Sequence, residues 1–428
     1  QITAQTSQQS PQGDTTFTFS IQVPAREDIA SPLDLEQALQ RSLNHIGQTV
    51  ITEALERYDT EGEPIILSKQ RLTSKGKTPG LYHSLFGPIE LNRHTYQTAE
   101  GGRTFCPLEH NARICGSATI GLSQIIASKH VSLSGRELLL DLQRSHQLEI
   151  SLSTLQDLTY QLGERALGKE EHWTYKPATP ASKANAVILY VDGTCGAIVN
   201  EGYKQIMVGV IDIVDDNAQR LESIYIAQAP EEGRHSFYAR MDRELDAIPQ
   251  RYDKLLWHGL SDGAPDLQHW LEQRCDYCTL DFYHVSEYIA NVAPIYAEGP
   301  QQRKAWLQET LHELKHHERG AQRLLSKLKQ APVDPARSTE LSRALEDAIR
   351  YVSNNLERMD YSLNGLLGVP LGSGVVEAAC KHVVKQRVGG SGMKWKRKGL
   401  QAVLTLRSLY LSTGRWEQFW NKVQRLGW

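Results

Sequence analysis

The sequence predicts an α/β protein, with a long helical insertion and a mixed α+β region ahead of the sheet. Three observations predict it. Residues 186–191, Ala-Val-Ile-Leu-Tyr-Val, form the continuous apolar run of a strand buried on both faces. Two further apolar segments, 206–214 and 221–227, precede an alternation of helix and strand at 235–248, 255–260, 265–273 and 278–283. Three strands, helix, strand, helix, strand is the order of an α/β sheet. Residues 285–371 then change character: 302–330 and 338–363 carry Leu, Ala and Ile at helical spacing between charges, with Pro332 and Pro335 separating them.

The elements before the sheet follow local signals. Residues 1–20 are rich in Gln, Thr and Ser, a composition expected of a disordered tail, which we extend to residue 30. Ser31-Pro32 is a cap followed by Pro at the first helical position. It opens a helix towards Tyr58 with Leu35, Leu39, Leu43, Ile46, Val50 and Ala54 on one face. Residues 66–105 alternate apolar and polar around Gly turns and read as strands; with the helix they make a region spanning 31–130. Ser134-Gly-Arg-Glu137 and Ser153-Thr-Leu-Gln156 read as capping boxes opening two helices within 131–172. That pair is either an ordinary helical hairpin or a helix-turn-helix, with Arg136 and Gln156 as DNA contacts. The Pro- and Ala-rich stretch 176–182 marks a domain boundary.

Bulk properties narrow the function classes. A chain of 428 residues has room for about two to four domains. Its 40% apolar and 23% charged content is that of a globular protein. No apolar run approaches the ~18 residues of a membrane span, and the first ten residues lack a signal peptide's basic start and apolar core. Six scattered cysteines fit a reducing compartment, so a cytoplasmic location is expected. The net charge of −3 does not advertise a nucleic-acid binder, yet its distribution is uneven. From Ala378 to Trp416 there are nine Lys or Arg residues and no acidic one.

Three carboxylates stand where metal ligands stand. Asp192 ends the first strand and Asp262 the fourth, each followed by Gly; Glu377 lies one turn into a helix opening at Gly372-Ser-Gly374. Three such groups can hold two divalent ions about 3.5–4 Å apart. Lys381 and Lys385 follow Glu377 at helical spacing, and Arg387, Lys394, Lys396, Arg397 and Lys398 extend the basic run, all suited to phosphates. Trp395 among them could stack on an unpaired base. Trp416, Trp420 and Trp428, in a C-terminal tail from 416 to 428, read as packing residues.

The stretches Tyr190-Val-Asp-Gly-Thr194, Leu260-Ser-Asp-Gly-Ala264, Leu280-Asp-Phe-Tyr-His-Val285, Gly372-Ser-Gly-Val-Val-Glu-Ala-Ala-Cys-Lys381 and Arg387-Val-Gly-Gly-Ser-Gly-Met-Lys-Trp395 resemble those of bacterial insertion-sequence transposases of the ISKra group, relatives of Mutator-like and ISL-type enzymes. The resemblance covers roughly residues 80–410. It implies a ribonuclease H-like catalytic core split into 184–284 and 372–415, with an all-helical insertion at 285–371 before the last catalytic helix and a DNA-binding region ahead. It implies a catalytic, metal-binding triad of Asp192, Asp262 and Glu377. Mg²⁺ is the expected ion, with Mn²⁺ accepted. Transposon-end and target DNA are the expected partners, in a homodimer or higher oligomer near the bacterial nucleoid. Asp281-Phe-Tyr-His284 resembles a D-x-x-H element beside the active site of related transposases, where His284 could contact DNA or be satisfied at a strand end. Related proteins carry a Cys-rich zinc ribbon; residues 93–106 have one Cys, and no zinc site is expected.

Two other motifs carry less. His312-Glu-Leu-Lys-His316 matches the helical zinc-peptidase pattern, but its charged neighbours read as a solvent face. Cys275-Asp-Tyr-Cys278 is one C-x-x-C without the second pair that zinc would need.

Overall fold

The structure is a computed structural model and describes residues 2–10, 13–22, 31–178, 183–248, 255–331 and 339–428. The chain is mixed α/β and divides into two compact units: Gln1–Lys169 with Glu417–Trp428, and Glu170–Trp416. Pro332, Pro335 and residues 179–182 of the linker lie outside the described residues. No helix among the described residues is long and apolar enough to cross a membrane.

In the first unit, β1 (Ile2–Gln9) and β2 (Thr15–Ile21) pair as an antiparallel hairpin. This corrects the expectation of a disordered tail. Thr15-Thr-Phe-Thr-Phe-Ser-Ile21 alternates β-branched or aromatic residues, and the Phe17 and Phe19 rings lie 6.0 Å apart, so local strand propensity outweighs the polar composition. Helix α1 (Pro32–Glu56) starts as expected, the Ser31 hydroxyl accepting from the Asp34 amide. β3 (Ile65–Leu67), β4 (Gln70–Ser84), β5 (Gly87–Thr98) and β6 (Gly101–Phe105) form a four-stranded antiparallel meander. The short α2 (Pro107–Asn111) and Leu55 of α1 close one face of it around Tyr82, Ile89, Leu91, Leu108 and Ile114. α3 (Ile120–His130), α4 (Gly135–His146) and α5 (Leu152–Lys169) complete the unit, with Leu122, Ile126, Leu138, Leu142, Leu155 and Leu158 buried. The Ser134–Glu137 capping box is present. The second expected box is not: Ser151, not Ser153, caps α5, its hydroxyl accepting from the Thr154 amide at 3.1 Å. The cap sits just outside the first helical turn, where the orphan amides point.

The second unit is built on a five-stranded mixed sheet, ordered β11-β10-β7-β8-β9. β7 (Ala186–Ile198), β8 (Gly202–Val214) and β9 (Arg220–Gln228) form an antiparallel meander. After α6 (His235–Ala247), β10 (Leu256–Ser261) pairs parallel to β7; after α7 (Pro265–Glu272), β11 (Tyr277–Leu280) pairs parallel to β10. The apolar run of β7 is explained by cover on both sides. Ala186, Ile188 and Tyr190 pack with Val376, Val383, Val384 and Leu404. Val187, Leu189 and Val191 pack with Phe237, Met241, Leu267 and Trp270. Helices α8 (Phe282–Tyr296), α9 (Pro300–His316), α10 (Gly320–Lys329), α11 (Thr339–Asn355) and α12 (Tyr361–Leu367), with a 3-10 turn at Leu356–Arg358, form the helical insertion around a core of their own. α13 (Gly374–Ala379) carries Glu377; a π-helical turn, Cys380–Lys385, leads into α14 (Gln386–Val388) and α15 (Arg397–Leu411), while α16 (Arg415–Leu426) belongs from Glu417 onward to the first unit.

Candidate functional site

β7 does not end at Asp192, as expected, but runs on to Ile198 in pairing with β8, so the end of β10 stands beside the middle of β7. Leu260 pairs with Tyr190 in parallel register, so Asp262 and Asp192, each two residues further on, come to the same edge of the sheet. Backbone geometry supports the turn after Asp262: Gly263 has φ +91°, a conformation that costs other residues a clash at Cβ. The Asp262 carboxylate accepts from the Ala264 amide at 3.0 Å, capping the approach to α7, and its carbonyl accepts from the Tyr351 hydroxyl at 2.7 Å. Asp192 accepts from the Gly193 amide at 2.6 Å, and its other oxygen lies 3.5 Å from the Cys380 thiol.

Glu377 reaches the same neighbourhood from the other direction. A cavity of about 590 Å³ is lined by Asp192, Gly193, Thr194, Glu377, Cys380, Lys381, Lys385 and Gln386. The expectation that Lys381 and Lys385 accompany Glu377 holds, although the π-helical turn replaces the regular helix assumed for their spacing.

Asp281, the Asp of the D-x-x-H element to which the sequence assigned no role, organises the cluster. Asp281 was placed inside a strand running to residue 283. Instead β11 stops at Leu280, and Asp281 is the N-cap of α8, accepting from the Tyr283 amide at 2.6 Å and the His284 amide at 3.3 Å. It is fully buried. Its second oxygen accepts from the Ser373 amide at 2.9 Å and the Ser373 hydroxyl, and faces His284 Nδ1 at 3.4 Å. Ser373 in turn lies 3.3 Å from Glu377. Asp281 thus ties the start of the Glu377 helix to β11. Asp281, His284 and Glu377 offer ligand atoms within 4.8 Å of one another, a group that could hold a metal ion. The signal was available: Asp281 is another carboxylate following an apolar strand, like Asp262.

The electrostatics of the site follow from burial and crowding. Burial pushes the Asp192 carboxyl up, the Gly193 amide opposes this, and the charge of Asp262 adds to the rise. Burial also works against ionisation of Asp281, but His284, Ser373 and the Tyr283 amide outweigh it and the net shift is downward. His284 is raised to about 9, first by its hydrogen bond to Asp281, with the charges of Asp281, Asp262 and Glu287 adding and burial opposing. At neutral pH it is therefore a cation and a donor.

The other expected contacts divide. Lys394, Lys396 and Lys398 are exposed, as are Arg136 on α4 and Gln156 on α5. Arg387 is not a surface cation: it is 4% exposed and lies over the Trp395 ring at 5.0 Å. Trp395 donates from Nε1 to the Val388 carbonyl at 3.1 Å and bridges to Ile198. Both are corrected to packing residues, because an apolar ring beside a sheet edge gains more from the core than from solvent. Arg397 is exposed but engaged by Glu201 at 2.9 Å and the Pro230 carbonyl at 2.7 Å. Trp420 is buried, and Trp428 donates to the Arg113 carbonyl at 2.8 Å, as packing residues do. Of the rejected motifs, His312 and His316 lie on α9 with Glu313 paired to Arg323 at 3.5 Å, and Cys275 and Cys278 both press on Gly259.

No protein-family model matches the chain, and no curated protein is significantly similar to it, so the chemistry of the site rests on the residues just described.

Proposed function

We propose that the chain is a metal-dependent DNA transposase with a ribonuclease H-like core, cutting the ends of an insertion sequence and joining the freed 3′-hydroxyl to target DNA. The observation that carries the reading is that Asp192 lies beside Asp262 across neighbouring parallel strands and shares a cavity with Glu377, on a sheet whose first three strands are antiparallel and whose last two run parallel to the first. The donor set fits hard divalent ions such as Mg²⁺ or Mn²⁺. It is all oxygen, and the burial and, to a lesser extent, the Asp262 charge that raise Asp192 are ones a bound cation would offset. Ions held there would supply Lewis acidity at phosphate oxygens and an activated hydroxyl.

The chain's own groups do the rest. Lys381 and Lys385, beside Glu377 in the cavity, neutralise phosphates entering it. His284, held by Asp281, is placed to donate to a phosphate oxygen. The exposed lysines at 394, 396 and 398 extend the track for DNA, and α4 and α5, with Arg136 and Gln156, select the element's ends. The active complex contains two or more copies.

The test is incubation of the protein with candidate element ends, a target plasmid and Mg²⁺, with the cut strands mapped. Asp192→Asn, Asp262→Asn and Glu377→Gln should each lower cleavage by more than about a hundredfold, the equivalent of several kcal/mol of lost charge stabilisation. Glu313→Gln should leave it unchanged. Cut ends that are never joined would make the protein a nuclease without strand transfer. Specific binding with no cutting under any divalent ion would make it a DNA-binding derivative.

A further inference from the structure

The start of α8 carries an aromatic ring that the fold holds still but does not hide. Tyr283 is 62% exposed, between the buried Phe282 and His284. Its backbone is pinned at both ends: the amide donates to the Asp281 carboxylate at 2.6 Å, and the carbonyl accepts from the Ser286 hydroxyl at 2.6 Å. The side chain is held as well. The Phe282 ring meets it edge-on at 5.9 Å, and Cδ2 and Cε2 lie so near Gly372 that a Cβ there would be 2.4 Å from each. Gly372 is not in the left-handed region, so its missing side chain makes room for the ring and not for an unusual backbone. A ring fixed in this way loses little freedom when a flat partner lies on it.

Its position says which partner. His284, the next residue, offers a ligand atom within 4.8 Å of those of Asp281 and Glu377. Ser373, the residue after Gly372, bonds to Asp281 and lies 3.3 Å from Glu377. Tyr283 therefore stands at the rim of the carboxylate cluster. Trp395, the ring that the sequence offered for stacking, is turned into its own chain by the bond to the Val388 carbonyl. We propose that Tyr283 stacks on an unpaired nucleobase beside the phosphate that enters the site. The proposal rests on the DNA reading above and deepens it. With His284 on a phosphate oxygen, the adjacent ring meets the base of the same or the neighbouring nucleotide. A base inside a duplex has both faces covered, so the occupant is one freed from its stack, at a strand end or next to the cut. Every base has a π-face, so the contact is indifferent to sequence.

Fluorescence anisotropy on the full chain tests it, in Ca²⁺ to permit binding with little cutting. The probes are two labelled single strands of about 20 nucleotides, one of thymidines and one with the same backbone and abasic sites throughout. The wild-type chain should bind the thymidine strand about tenfold more tightly. Tyr283→Leu keeps an apolar cover over Gly372 but has no ring face, and should bind both strands as the wild type binds the abasic one. Tyr283→Phe should keep the preference. A preference that survives Tyr283→Leu overturns the proposal and leaves the DNA reading standing. Equal weakening on both strands would make the ring structural only and would overturn it too. No binding of either strand overturns both the proposal and the DNA reading. The wild-type chain gives a second measure that needs no variant. With 5-iodouracil in place of thymine, near-ultraviolet light should couple the base to Tyr283, located by peptide mass. Coupling only to other residues overturns the proposal.

Discussion

The two main sheets obey the same local rules but meet different surroundings. The five-stranded sheet has an apolar cluster on each face, one closed by residues of α13 to α15 and the other by α6 and α7. The four-stranded meander is closed over one small cluster, while Ile66 and Leu81 stand in solvent. The difference teaches where chemistry can be placed. A sheet covered on both sides presents its strand ends as rigid points, and Asp192, Asp262 and Asp281 all sit at or beside such points. A sheet covered on one side offers surface, which suits docking better than catalysis.

The largest test of this contrast is a matched pair of deletions. Ile211, fully buried on β8, should cost about 2–5 kcal/mol when changed to Ala, whereas Ile66→Ala, at a side chain 79% exposed, should stay within about 0.5 kcal/mol. Urea unfolding of both variants measures it; similar losses would erase the distinction between the two sheets.

A smaller effect is expected at the edge where the sheet meets Glu377. Asp281→Asn keeps the shape but replaces an acceptor-only group that serves both Ser373 and His284. We expect a loss of about 1–3 kcal/mol, together with a fall in the His284 pKa from about 9 towards its ordinary value. An NMR titration of His284 separates this from general damage: an unmoved imidazole would show that Asp281 does not hold it.

The smallest effect concerns a carboxylate inside the sheet. Asp212 on β8 is buried, and burial raises its pKa to about 6 against the opposing hydrogen bond from Ser223. Because the folded pKa exceeds the unfolded one, its contribution to stability is present below pH 4 and is lost as pH rises through 6. Asp212→Asn should therefore stabilise the protein at pH 8, on the order of 1–2 kcal/mol, and bring no gain at pH 4. Melting curves at the two pH values decide; an equal gain at both would mean that ionisation is not the cause.

Much of this protein was determined by sequence alone, for physical reasons that act over short range. The run 186–191 could only be a strand covered on both faces, and the carboxylate at 262 had to fall at the end of its neighbour, because strand period and turn chemistry are local; that β7 continues past Asp192 to Ile198 was not legible. Ser31-Pro32 and Ser134-Gly-Arg-Glu137 opened their helices for the same reason. Tertiary structure decided the rest. It chose Ser151 over Ser153 as a cap, ended β11 at Leu280 so that Asp281 could reach Ser373, buried Arg387, which a count of charges had assigned to DNA, and packed it against the half-buried Trp395. It also turned the stripe of α1 away from the core. Periodicity reveals that a helix has an apolar face, but which face packs inward depends on the close approach at Gly47 and Phe86 and on the His146 and Phe86 carbonyls, which only the folded chain brings within reach of Asn44 and Gln48.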